Sequence, residues 1–136
     1  MSARTLLAIG TRKGLWLASS TDRATWSLDG PYFPMEEVAA VAFDTRRSPA
    51  RLLVGVMSWH WGPTLAWSED LGSTWHETQN AAIAFPEDTG AALGRIWQIQ
   101  PGPDDAPGVV WAGCEPTSLW RSEDGGETFE LVRGLW

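Results

Sequence analysis

The sequence predicts an all-β fold of repeated, up-and-down antiparallel sheets, and three observations predict it. The first is a repeated turn. Ser68-Glu69-Asp70-Leu71-Gly72-Ser73-Thr74-Trp75 returns as Ser122-Glu123-Asp124-Gly125-Gly126-Glu127-Thr128-Phe129, both with the pattern Ser-x-Asp-x-Gly-x-Thr-aromatic. The second is that short apolar runs bounded by Gly, Pro, Asp and Ser fill the chain, without a sustained 3.6-residue period. The third is spacing: about four such runs fall in every fifty residues or so, and self-similarity at that interval marks a repeat architecture. Four up-and-down strands per unit is the pattern of a β-propeller blade.

The elements follow in order. Residues 5–10 form a strand that stops at Gly10, and Thr11-Arg12-Lys13-Gly14 has the composition of a hairpin turn. Residues 15–19 are the next strand and residues 25–28 the one after. Between them Ser20, Asp22, Thr25 and Trp26 keep the order of the repeat but lack its Gly and one residue. Gly30-Pro31-Tyr32-Phe33-Pro34 then breaks the ladder, because proline has no N–H to donate.

A second unit opens with residues 38–43, apolar on both faces as in a strand buried between layers. A loop over 44–49, a strand over 52–56 and the turn Ser58-Trp59-His60-Trp61-Gly62-Pro63 follow. The strand 64–67 leads into the repeated turn, and residues 73–78 make the fourth strand. Residues 79–95 are a long connection, with a helical turn expected at 81–84. The third unit repeats the order: 96–99, a turn-rich loop over 101–107, then 109–113, the turn Cys114-Glu115-Pro116-Thr117, 118–121, and 128–132 beyond the second repeated turn.

The expectation is therefore one partial propeller domain over 1–136 with about eleven strands in three blades. The blades span about 4–30, 37–79 and 95–133, and the first lacks its inner strand. Propellers usually close with four to eight blades. The chain is thus expected to be the N-terminal portion of a longer protein, with open blade edges through which it self-associates.

Composition narrows the function classes. An apolar content of 43% with 20% charged residues is that of an ordinary soluble domain, whereas ten Trp against one Tyr is unusual. A net charge of -7 argues against nucleic acid and anionic membrane as partners. The lone Cys114 makes no internal disulfide, and the first apolar run is too short for a signal peptide. A cytoplasmic location is expected. His60 and His76 with one Cys do not make a metal site, and Asp124-Gly125-Gly126-Glu127 lacks the oxygen ligands of an EF-hand loop. Neither metal nor cofactor is expected.

The chemistry of the repeat is that of a turn. Asp accepts hydrogen bonds from backbone N–H groups just beyond it, and Ser does so more weakly. Gly72 and Gly126 supply a positive φ, and Thr with Trp or Phe restarts a strand. Ser68, Asp70, Gly72, Thr74 and Trp75, with Ser122, Asp124, Gly126, Thr128 and Phe129, are accordingly structural.

These two segments resemble Asp-boxes, the bacterial neuraminidase repeat found in sialidases, sortilin-type receptors and some glycoside hydrolases. The first is a full match and the second has Phe for Trp. Gly62-Pro63, Gly94-Arg95-Ile96-Trp97 and Glu115-Pro116 are also similar to bacterial sialidase-like and glycosyl-hydrolase-like proteins. In that family the Asp-box joins the third and fourth strands of a blade, and the active site lies on the opposite face. The resemblance puts the turns 11–14, 58–63 and 114–116 on that opposite rim, with Tyr32, Glu36, Glu37 and Arg95 added by the blade connections.

Arg95, Arg12, His60, Trp59 and Glu115 are thereby the candidate ligand-binding residues. A guanidinium can clamp a carboxylate bidentately, and the indoles of Trp59 and Trp61 can stack on a pyranose. The other indoles, Trp16, Trp26, Trp67, Trp75, Trp97, Trp111 and Trp120, are expected between blades or in the core. The family's sialidases use three arginines, a Tyr nucleophile helped by Glu, an Asp acid/base and an Arg-Ile-Pro segment. This chain has no Arg-Ile-Pro, and its only tyrosine, Tyr32, lies in the first connection rather than in a late blade. The resemblance thus implies a non-catalytic sialidase-like propeller with a carbohydrate or small anionic ligand. A protein-interaction scaffold and the N-terminal fragment of an active exo-glycosidase are the alternatives.

Overall fold

Each sheet forms where apolar runs are punctuated by a tight turn, and the computed structural model describes this over residues 3–136. Among those residues there are ten strands in three antiparallel sheets. The first sheet holds β1 (Thr5–Thr11), β2 (Gly14–Ser20) and β3 (Ser27–Tyr32) in that order. The middle sheet holds β4 (Glu37–Asp44), β5 (Arg51–Ser58) and β6 (Gly62–Ser68). The third holds β7 (Arg95–Pro101), β8 (Val110–Glu115), β9 (Ser118–Ser122) and β10 (Glu130–Leu131).

Several elements differ from the sequence expectation, each for a local reason. Instead of a strand over 73–78 there is one bridge, Trp67 with His76, closed by backbone bonds of 3.0 and 2.8 Å. The residues that follow, Glu77, Gln79 and Asn80, are exposed and polar, so further pairing would bury nothing. Residues 81–84 form no helical turn. Ala82 and Ile83 are buried, and the Ala82 carbonyl accepts the N–H of Phe129, so this segment is tied to the third sheet. Gly30 and Pro31 do not end β3: it is an edge strand, where a missing donor costs no ladder bond, and a register shift between Leu15 and Leu17 absorbs the irregularity.

The middle sheet is buried on both faces, which is why β5 is nearly continuous in apolar residues. Leu52, Val54 and Val56 join Leu15, Leu17 and Val38 in a core against the first sheet. Leu53 points the other way, into a larger core with Ile96, Ile99, Val110, Trp120 and Phe129. At roughly 25 cal/mol per Å² of apolar surface removed from water, these two seams supply most of the cohesion between sheets. The outer face of the first sheet has no such cover: Leu7, Ile9 and Leu28 are exposed there.

The repeated turns share one hydrogen-bond pattern. In the first full copy the Ser68 hydroxyl donates to Asp70 Oδ1 at 2.8 Å and accepts the N–H of Gly72 at 2.8 Å. Asp70 in turn accepts the N–H of Thr74 at 2.8 Å and its hydroxyl at 2.6 Å. Ser122, Asp124, Gly126 and Thr128 repeat these bonds. The shortened copy keeps the same logic, with the N–H groups of Ala24 and Thr25 on Asp22. Gly72 and Gly126 have φ of 87° and 95°, and a Cβ would lie 2.9 Å from the Tyr32 ring and 2.8 Å from Leu53 respectively. Both the backbone and the neighbouring sheet require glycine there.

Arginines tie the middle and third sheets together at this end of the molecule. Arg46 pairs with the fully buried Asp44 at 2.8 Å and donates to the carbonyls of Pro103, Ala106 and Val109. Arg51 bonds Glu69, Glu127 and the Gly125 carbonyl. The junction between first and middle sheets relies on aromatic contact instead. Trp75 meets Phe33 at 4.8 Å and Tyr32 at 6.0 Å between ring centroids. Tyr32 is thereby packed between sheets.

Candidate functional site

Strand direction sets which residues share the end away from the Ser-x-Asp turns. Ser58 pairs with Gly62 at one end of the β5–β6 hairpin and Leu52 with Ser68 at the other. Glu37 lies opposite Met57, Arg95 opposite Glu115, and Thr11 opposite Gly14. The hairpin tips and the starts of β4 and β7 therefore gather at one rim. There Arg12, Glu37, Met57, Ser58, Trp59 and Arg95 line an open hollow of about 440 Å³.

Arg95 is the best-oriented group in the hollow. Its Nη1 pairs with Glu37 Oε1, linking β7 to β4, and its guanidinium lies over the Trp97 ring at 4.7 Å from the centroid. Trp97 is held in turn by its indole N–H, which donates to Glu115 Oε2 at 3.2 Å. Stacking plus one ion pair fixes the plane of the guanidinium. Among the described residues Nε and Nη2 of Arg95 make no hydrogen bond, so an edge of the fork stays available. Arg12 is exposed on the β1–β2 turn, and among the described residues its side chain also makes no hydrogen bond.

Of the five candidates, Arg12, Trp59 and Arg95 line the hollow together. Trp59 is 86% exposed, with its indole N–H donating to the Met35 carbonyl at 3.2 Å. Glu115 stands outside the lining and acts on it through Trp97. His60 does not line it; its backbone N–H donates to Ser58 Oγ and its ring is exposed with Trp61 on the hairpin tip.

Two contributors escape sequence reasoning. Glu37 is named there only as a connection residue, yet it is the partner of Arg95. Trp97 is expected between blades or in the core, yet it is 53% exposed. A register shift between Ile96 and Gln98 interrupts the alternation of β7 at this residue. The i, i+2 spacing of Arg95 and Trp97, which share a face in an extended strand, is the signal that could have found the pair.

The displaced titrations lie elsewhere. Asp22 and Asp70 are held at about 2, Asp22 by the N–H groups of Thr25 and Ala24 and Asp70 by the hydroxyl and N–H of Thr74. Burial pushes Cys114 up to about 12, which removes its thiolate at neutral pH. Among the described residues no three His, Cys, Asp or Glu side chains are placed to hold a metal ion. No described helix is long and apolar enough to cross a membrane. No family model matches the chain, and no curated protein matches it.

Proposed function

We propose that the three sheets are successive blades of an Asp-box, sialidase-like β-propeller that binds a carbohydrate or small anionic ligand without turning it over. The convergence of Arg12, Arg95 and Trp59 on one hollow, at the end away from the Ser-x-Asp turns, carries this reading. Two guanidinium groups supply charge-assisted hydrogen bonds to a carboxylate, and an indole supplies an apolar wall for a sugar face. The blade assignment draws support from packing: β4 lies against β1 and β2 much as β7 lies against β5 and β6. On that correspondence β1 is equivalent to β5, and the first blade begins one strand late.

The hollow offers no acid/base pair in addition to its ion-paired Glu37, so binding without hydrolysis is the expected behaviour. Titration with N-acetylneuraminate or glucuronate, read by tryptophan fluorescence, should saturate for the wild type. Arg95→Ala should weaken it at least about tenfold, because a charged hydrogen bond is worth about 1.5–3 kcal/mol. Equal affinity in the two proteins would remove Arg95 from the site, and turnover of a fluorogenic sialoside would replace binding with hydrolysis.

One observation favours a second reading, a protein-interaction scaffold. Trp59 and Trp61 are 86% and 89% exposed side by side on a hairpin tip, more indole than a single sugar covers. A protein partner whose capture is lost in Trp61→Ala, with sugar-acid binding unchanged, would support it.

A further inference from the structure

We infer that Glu37 sets the charge of the ligand the hollow accepts, admitting singly charged sugar acids and turning away doubly charged sugar phosphates. The inference rests on the ligand-binding reading above and adds the ligand's charge class to it. The lining carries three ionic groups, the guanidinium groups of Arg12 and Arg95 and the carboxylate of Glu37; Met57, Ser58 and Trp59 carry none. The site therefore has one net positive charge to offer.

Glu37 is not free to withdraw. Its backbone is locked into β4 opposite Met57, and its Oε1 holds Arg95 Nη1. The neighbouring carboxylate, Glu115, is engaged by the Trp97 indole outside the lining. A monocarboxylate that takes Arg12 and the open edge of Arg95 leaves the site neutral. A second ligand charge would have no cation left and would face the Glu37 carboxylate within the same hollow of about 440 Å³. Like charges sharing one such hollow, in the intermediate dielectric of a protein surface, change affinity by roughly tenfold or more. The free Oε2 of Glu37 meanwhile suits a ligand hydroxyl, since an ionised carboxylate only accepts.

Glucuronate and glucose 6-phosphate test this on one hexose scaffold, with one and two charges at pH 8 (a phosphate monoester loses its second proton near pH 6). Calorimetric titration of the wild type should favour glucuronate about tenfold or more. Glu37→Gln keeps an acceptor for Arg95 and deletes the charge. It should tighten glucose 6-phosphate about tenfold and shrink or reverse the preference, whereas Glu37→Asp should keep it. A glucuronate-to-phosphate ratio unchanged in Glu37→Gln, or a parallel loss of both ligands in a folded variant, would overturn the inference and leave the binding reading standing. Failure of both probes to bind wild type and variants alike would overturn both.

Discussion

Asp70 spends both of its oxygens on its own turn. Oδ1 takes the Ser68 hydroxyl and the Thr74 N–H, and Oδ2 takes the Thr74 hydroxyl. Donors aimed at the ionised form hold its pKa at about 2, against an ordinary 3.8, and Asp22 is held at a similar value. For Asp124, burial acts upward, and the Thr128 and Ser122 bonds outweigh it. A carboxylate depressed in the folded state stabilises that state above its unfolded pKa, and the contribution disappears as pH falls from about 4 to 2. Asp70→Asn should therefore melt below the wild type at pH 7, and the gap should close across that acid window. A gap independent of pH would mean that the turn is held by geometry and not by the charge. This role was legible in the sequence because Ser, Asp, Gly and Thr act within eight consecutive residues. Glu37 was not, because its partner lies on another sheet and nothing local links β4 to β7.

At the scale of elements, hairpin tips and strand order were readable, and the loops that join sheets were not. Residues 44–49 look like a featureless polar loop, yet Arg46 within it reaches three carbonyls of the β7–β8 loop while neutralising Asp44. Long-range acceptors on backbone leave no trace in side-chain chemistry. The Asp44 carboxyl is fully buried, and the Arg46 guanidinium beside it holds its pKa below the usual range. Arg46→Ala should cost about 3–5 kcal/mol in denaturant unfolding, the penalty of leaving a buried charge unpaired. Removing both charges, as Asp44→Ala with Arg46→Met, should recover part of that loss. A cost below about 1 kcal/mol for the single variant would reduce the loop to a solvated surface feature. Bridges such as Trp67 with His76 and the two-residue β10 illustrate the opposite limit. The sequence supplies strand-formers there, but polar, exposed Glu77, Gln79 and Asn80 follow the bridge, and a 3-10 turn over Arg133–Leu135 ends β10.

For the whole molecule, the all-β class and the stacking of three antiparallel sheets followed from periodicity and repeat spacing alone. The inequality between the two junctions did not. The seam between middle and third sheets has the larger apolar core and the Arg46 and Arg51 crosslinks. The seam between first and middle sheets has a smaller core and the Trp75 contacts with Tyr32 and Phe33, and the first sheet's other face is bare. A stack glued unevenly does not open as one body. The first sheet is therefore expected to open as a separate unit at a lower free energy than the rest, which would put the rim's Arg12 on the least durable part. Native-state hydrogen exchange should release the amides of β2 before those of β5 and β8. Simultaneous exchange of all three strands would make the stack a single cooperative block.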